Sequence, residues 1–266
     1  MSQNPITDDH IAFAHSLADE ARRMLAGQQE RLLDIEFKAD HSLVTDMDVA
    51  IEKRLREMIA DQFPAHGVIG EEFAWDRPKS DHVWILDPID GTASFIAGSP
   101  TFGTLIALAV DGVFRLGIIE APAIQTRWFG AYGRPSTKNN KVIRVKQAET
   151  LKSTLVSSSN PDYMSDAERV ALQHLRTLTG NRIYGGACFN YGYLASGGTD
   201  IGFDGGQQIY DYAPFRPIVE GAGGTISDWE GKPLTLESGG RILGAGSAKL
   251  HAQIVEEIAQ LNIDEK

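Results

Sequence analysis

The sequence predicts an α+β fold. Three observations predict it: two amphipathic helical stretches open the chain, apolar runs joined by tight turns follow, and the second half alternates strand with helix. Thr7, Asp8 and Asp9 read as a helix start, after which Ile11, Ala14, Leu17, Ala18, Ala21, Met24 and Leu25 recur at helical spacing as far as Gly27. A charged, extended stretch, Glu36 to Asp40, precedes a second helix from about Val49 to Gln62, with Ile51, Leu55, Met58 and Ile59 along one stripe and Pro64 closing it. The short runs Val68-Ile69 and Val83 to Leu86 each end in acidic residues, as buried strands do when their tips carry a site. Residues 102–110 and 113–119 flank Asp111-Gly112, a dipeptide suited to a type I′ hairpin because both positions need positive φ. A third strand is expected from about Arg127 to Ala131.

In the second half, strands are expected at 154–158, 182–184, 200–203, 225–229 and 241–244. Helices are expected at 166–178, opened by the capping box Ser165 to Glu168, at 187–197, and from Asp211 to about Glu220. A C-terminal helix opened by Ser247 sets Leu250, Ile254, Ile258 and Leu261 on one face. Gly133 to Lys141 reads as an exposed loop and residues 145–152 as a seam. That seam divides a single compact unit into an N-terminal lobe, 1–145, carrying the metal site and a C-terminal lobe, 146–266, completing it.

The 266 residues are 42% apolar and 23% charged, enough for a sizeable core. A formal net charge of −11 gives no electrostatic support for binding nucleic acid or an anionic membrane. The lone Cys188 excludes an intrachain disulfide and a multi-cysteine zinc site. No apolar run approaches the ~18 residues of a membrane span, and the first residues lack a basic region followed by an apolar one, so the expected compartment is the cytoplasm.

The chemistry concentrates in Trp84 to Phe95 (WILDPIDGTASF), where Asp87 and Asp90 straddle a proline at the end of an apolar strand. Pro88 has no amide hydrogen and a fixed φ, so the chain is expected to leave the sheet there, and Gly91 to Ser94 to turn into a helix whose first amides lack helical partners. Such an N-terminus favours a phosphate oxygen. The carboxylates beside it would repel that oxygen unless divalent cations lay between, and oxygen ligands without histidine or cysteine suit Mg²⁺. Taken alone, Asp87 to Thr92 reads equally well as a capped turn. Gly70-Glu71-Glu72 after one strand, and Tyr210-Asp211-Tyr212-Ala213 leading to Gly221-Ala222-Gly223-Gly224, shift the balance towards a metal site.

These three segments, in this order, resemble the signatures of the inositol monophosphatase superfamily of metal-dependent phosphatases, with the closest likeness to its histidinol-phosphatase branch. Val44-Thr45-Asp46-Met47-Asp48 with Glu52 matches a fourth family segment, and the resemblance covers about residues 8–262. The branch likeness rests on His66 to Phe73, Pro100 to Leu108, Arg127-Trp128, Tyr210 to Ala213 and Asp228 to Gly231. The resemblance implies a layered α-β-α-β-α sandwich and two or three Mg²⁺ ions per subunit. Glu71, Asp87 and the Ile89 carbonyl would hold one ion; Asp87, Asp90 and Asp211 a second; a third, weaker ion would lie near Glu71, which also counts among the catalytic residues. The amides of Gly91 and Thr92 would hold the phosphate, and Thr92 with Asp48 would assist the attacking water. Ser94, Ala187 and Asp204 fall at substrate positions. A homodimer and inhibition by lithium are further implications.

Two positions depart from the branch. Histidinol phosphatases usually carry a basic residue where this chain has Ala93 and an aspartate where it has Ala187, while Asp204 is one methylene shorter than the usual glutamate. Losing a charged contact costs roughly 1–3 kcal/mol. The expected function is therefore a Mg²⁺-dependent phosphomonoester hydrolase acting on a small metabolite, histidinol phosphate first and inositol 1-phosphate or another sugar or polyol phosphate second. A bisphosphatase would want a further basic cluster. A non-catalytic regulatory protein would show a degraded site, whereas every expected carboxylate is present. His10, His15, His174 and His251, on amphipathic helices, read as surface or structural residues, and Cys188, Tyr191 and Tyr193 as helix packing.

Overall fold

A computed structural model describes residues 6–28, 35–37, 43–77, 79–261 and 263. Lys38, Ala39 and Asp40 of the expected extended stretch lie outside the described residues, and its start belongs to β1 (Ile35–Phe37), paired antiparallel with β2 (Leu43–Thr45). Helix α1 (Asp8–Leu25) starts at Thr7, whose hydroxyl accepts the His10 N–H while the His10 ring accepts the Thr7 N–H. Helix α2 (Asp46–Gln62) begins three residues before the apolar stripe suggests, because Thr45 caps it and Asp48 reaches back to the Thr45 N–H.

Both helices cover one face of a seven-stranded sheet ordered β3 (Gly67–Gly70), β4 (His82–Asp90), β5 (Gly103–Val110), β6 (Val113–Ala121), β7 (Thr126–Ala131), β8 (Thr137–Lys138) and β9 (Lys141–Val142). Strand alternation divides the core. Trp84 and Leu86 of β4 pack with Leu17, Ile51 and Leu55, while Val83 and Ile85 pack on the opposite face with Phe189, Phe215 and Ile218. That opposite layer holds α5 (Phe189–Ala195), α6 (Ile209–Tyr212) and α7 (Phe215–Gly221). Beyond it lies a second sheet of five strands, ordered β11 (Asn181–Tyr184), β10 (Leu155–Ser158), β12 (Ile201–Asp204), β14 (Ile242–Ala245), β13 (Thr225–Asp228). Its outer face is closed by α4 (Asp166–Leu178) and α8 (Ala248–Ala259) through Leu172, Leu175, Ile254 and Ile258. The result is the α-β-α-β-α order. Alternation in sequence produces only half of a parallel sheet: β11, β10 and β12 run parallel, and β14 pairs antiparallel with both β12 and β13.

Asp111 and Gly112 take φ of 50° and 76°, the positive pair that the β5–β6 hairpin requires. Elsewhere the structure corrects the expected elements. Pro88 does not end its strand: β4 continues to Asp90 with a register shift, Asp87 pairing with Leu105 and Asp90 with Gly103, and the Thr104 hydroxyl donates to the Pro88 carbonyl at 2.8 Å. A bulge absorbs the missing amide. The expected loop at 133–141 contains β8 and the start of β9, turned at Asn139 and Asn140 with positive φ, and Ser136 is buried with its hydroxyl on the Ile218 carbonyl. Pro214 breaks the helix expected from Asp211 to Glu220 into α6 and α7. Ser247 precedes α8 without a side-chain capping bond.

The helix-face histidines His10 and His251 are buried, and His10 belongs to a group of three. Its ring centroid lies 5.6 Å from His66 and 5.4 Å from His82; His66 and His82 stack at 4.7 Å, and Phe63 stacks on His66 at 4.6 Å. Trp84 Nε1 donates to His66 Nδ1 at 3.1 Å, which fixes that nitrogen as an acceptor. Burial, with His82 and His10 adding, lowers the His66 pKa to about 4. Burial and His82 lower that of His10, against Asp9. The unfolded chain then binds more protons than the folded one between the ordinary histidine value, about 6.5, and about 4. This contribution to stability is full above that window and is lost as pH falls through it. The melting temperature of the protein should therefore drop more between pH 7.5 and pH 5 than that of His66→Phe, measured by differential scanning fluorimetry; parallel curves would exclude the cluster as the cause.

Candidate active site

The site forms where the first sheet meets α6 and the start of α5. Asp87 and Asp90 arrive from the bulged end of β4, and Asp211 from the first turn of α6. One oxygen from each of these three carboxylates lies within 4.8 Å of the others, the single such cluster of His, Cys, Asp or Glu among the described residues. Asp87 is buried, and its Oδ1 has no hydrogen-bond partner. The other two are held. The Cys188 N–H donates to Asp90 Oδ2 at 2.5 Å, and the Gln208 N–H to Asp211 Oδ2 at 2.6 Å.

Such crowding shows in the titration of these groups. Burial, then Glu71, Asp90 and Asp211, push the Asp87 carboxyl well above the usual carboxylate range. Burial followed by Asp90 does the same to Asp211, against the Gln208 N–H, and burial raises Asp90 against its bond to Cys188. Glu71 follows β3 and stands outside the 4.8 Å triad, yet it is the first charged neighbour to act on Asp87. The field reaches two phenols. Burial, then Glu71, Asp211 and Asp87, raise Tyr210; burial, then Asp90, Asp162 and Asp211, raise Tyr163, a residue that no motif singles out.

After the strand comes Gly91, at φ 86°, followed by the short helix α3 (Thr92–Ile96). A Cβ at Gly91 would lie 2.8 Å from the Thr101 carbonyl oxygen and 3.3 Å from the Ala187 Cβ, so Ala187 packs against this turn. The Thr92 hydroxyl donates to the Ile89 carbonyl at 3.0 Å and makes a longer contact, 3.5 Å, with Asp48 Oδ1. Asp48 does two things at once: Oδ2 caps α2 through the Thr45 N–H and hydroxyl, and Oδ1 faces Thr92. Burial, against the Thr45 bonds and with Glu72 adding, raises the Asp48 pKa to about 6.

Ser94 accepts from the Thr101 hydroxyl at 3.1 Å. Asp204 is 1% exposed, and its Oδ1 accepts the Ser159 N–H at 2.6 Å. Cys188 does more than pack a helix, since its backbone N–H fixes Asp90 across the two halves of the chain; no side-chain pattern announces a backbone donor.

A bulged strand tip, a left-handed glycine and three carboxylates gathered around the buried Asp87, set in an α-β-α-β-α sandwich, suit the binding of a metal ion and a phosphate group. Residues 7–262 match the inositol monophosphatase family, to which the chain belongs. Enzymes of that family are metal-dependent phosphatases acting on small phosphorylated substrates. The chain is 35% identical over 260 residues to the bifunctional phosphatase IMPL2, chloroplastic, of Arabidopsis thaliana, covering 94% of this chain and 75% of that protein. It is 32% identical to a histidinol-phosphatase of Chlorobaculum parvum, covering 87% and 90%. Among solved structures, an inositol monophosphatase from Zymomonas mobilis superposes with a TM-score of 0.86 at 36% identity, covering 95% of this chain and 98% of that one. No described helix is long and apolar enough to cross a membrane.

Proposed function

We propose that the chain is a Mg²⁺-dependent phosphomonoester hydrolase whose first substrate is histidinol phosphate. The observation that carries the metal reading is the buried, unpartnered Oδ1 of Asp87 among Asp90 and Asp211: an acidic cluster this crowded calls for a counter-charge. The donors are all oxygens, which fits a hard divalent cation. Asp87, Asp90 and Asp211 would hold one ion, and Glu71, Asp87 and the Ile89 carbonyl another, with a third near Glu71. Bound Mg²⁺ supplies an acidified water and charge compensation on the phosphoryl oxygens.

The remaining steps belong to the chain. The amides of Gly91 and Thr92, at the start of α3, orient the phosphate. The Thr92 hydroxyl orients the attacking water, and Asp48, with its proton affinity raised by burial, holds the proton that leaves.

For the leaving group, support comes from the similarity to a histidinol-phosphatase. Inositol 1-phosphate or another polyol phosphate is the second reading, favoured by the likeness to the Zymomonas structure and by Ala93 and Ala187. Inhibition by Li⁺ and a homodimeric state belong to the same reading and rest on family likeness. The deciding experiment compares kcat/KM for histidinol phosphate, inositol 1-phosphate, fructose 1,6-bisphosphate, adenosine 3′,5′-bisphosphate and sugar monophosphates. Histidinol phosphate should lead; preference for a polyol phosphate would overturn the substrate assignment and leave the phosphatase intact.

A further inference from the structure

One buried carboxylate lies beside the site without entering it. Glu52 sits one turn after Asp48 on α2, so the same helix face that turns Asp48 towards Thr92 turns Glu52 towards the segment after β3. Its side chain is 0% exposed. Oε2 accepts the Glu72 N–H at 2.7 Å, and Oε1 accepts the Phe73 N–H at 3.3 Å and Arg56 Nε at 2.7 Å. A buried carboxylate needs such partners, and here two of the three are backbone amides of one tight segment.

The contact extends to the other side of Glu71. A Cβ at Gly70 would lie 2.0 Å from Glu52 Oε1, so the glycine is what lets the carboxylate lie against the chain there. Glu71 is therefore bracketed by a close steric contact at Gly70 and a hydrogen bond at Glu72. Arg56 closes the arrangement from outside. Its guanidinium bonds Glu52, donates to the Phe73 carbonyl at 3.2 Å and lies 5.7 Å over the Phe73 ring.

We propose that Glu52, braced by Arg56, is a positioning residue for Glu71: it fixes the backbone on both sides of that carboxylate and so sets its reach towards Asp87. This rests on the metal-site reading given above. Residues that orient a metal's ligands typically change its affinity 10- to 100-fold when replaced.

The test is Mn²⁺ binding to the full chain without substrate, followed by electron paramagnetic resonance of the free ion, in the protein, Glu52→Gln, Glu71→Gln and the double variant. Glu52→Gln should weaken binding about tenfold, with little added loss in the Glu71→Gln background, because its effect runs through Glu71. At saturating Mg²⁺ the substrate KM of Glu52→Gln should match that of the parent protein. Arg56→Met, which loosens the brace and keeps the carboxylate, should weaken Mn²⁺ less and in the same direction. Glu71→Gln weakened with Glu52→Gln unchanged, or losses that add in the double variant, would overturn the positioning role alone. Undiminished binding by Glu71→Gln would overturn the metal assignment of Glu71 and the positioning role with it.

Discussion

Asp87→Asn is expected to lower kcat/KM by about a thousandfold or more while raising the stability of the metal-free protein. The two effects share one cause. Burial and four neighbouring acids push the Asp87 carboxyl well above its ordinary range, so without a cation the folded protein either holds a proton there or bears uncompensated repulsion. An amide of nearly the same shape removes that cost, with a gain of about 1 kcal/mol and a melting temperature higher by about 2–4 °C. It also removes the oxygen charge shared between the two proposed ions. Thermal melting in chelator and steady-state kinetics in Mg²⁺ check both halves. A variant that loses activity and stability together would mean that Asp87 is a structural residue rather than one held ready for metal.

Gly91→Ala carries the second largest effect. At φ 86° an alanine costs about 1–2 kcal/mol, and its Cβ would stand 2.8 Å from the Thr101 carbonyl oxygen, a backbone atom with little freedom to retreat. The expected destabilisation is about 2–3 kcal/mol, read by urea unfolding. Because the same turn joins Asp90 to Thr92, a shift near 1 Å should also lower kcat about a hundredfold. Normal kcat in a destabilised protein would separate the turn from the chemistry.

Which features were legible depended on whether side chains or the backbone carry them. Apolar stripes on α1 and α2, the Asp111-Gly112 turn and the Ser165 to Glu168 box are local side-chain patterns, and the elements form where those patterns place them, save that the Thr45 cap starts α2 three residues early. Pro88 misled because the rule that proline ends a strand assumes a regular ladder, and a bulge supplies the exception. The seven-stranded order, and the pairing of β14 between β12 and β13, depend on contacts distant in sequence. At the site, the gathering of Asp87, Asp90 and Asp211, far apart in the chain, is what the resemblance of their motifs implies. The Cys188 amide that holds Asp90 has no signature, being a backbone donor, and although Glu52 stands out with the Val44 to Asp48 segment, its place behind Glu71 depends on contacts that only the fold brings together.

The most direct test of the account is phosphate release from histidinol phosphate and inositol 1-phosphate by protein stripped with chelator, measured before and after Mg²⁺ is restored. Turnover absent in chelator and recovered with Mg²⁺, and no recovery for Asp87→Asn, is the predicted result. Hydrolysis that persists in chelator, or an Asp87→Asn protein that recovers fully, would contradict a metal site built on Asp87, Asp90 and Asp211.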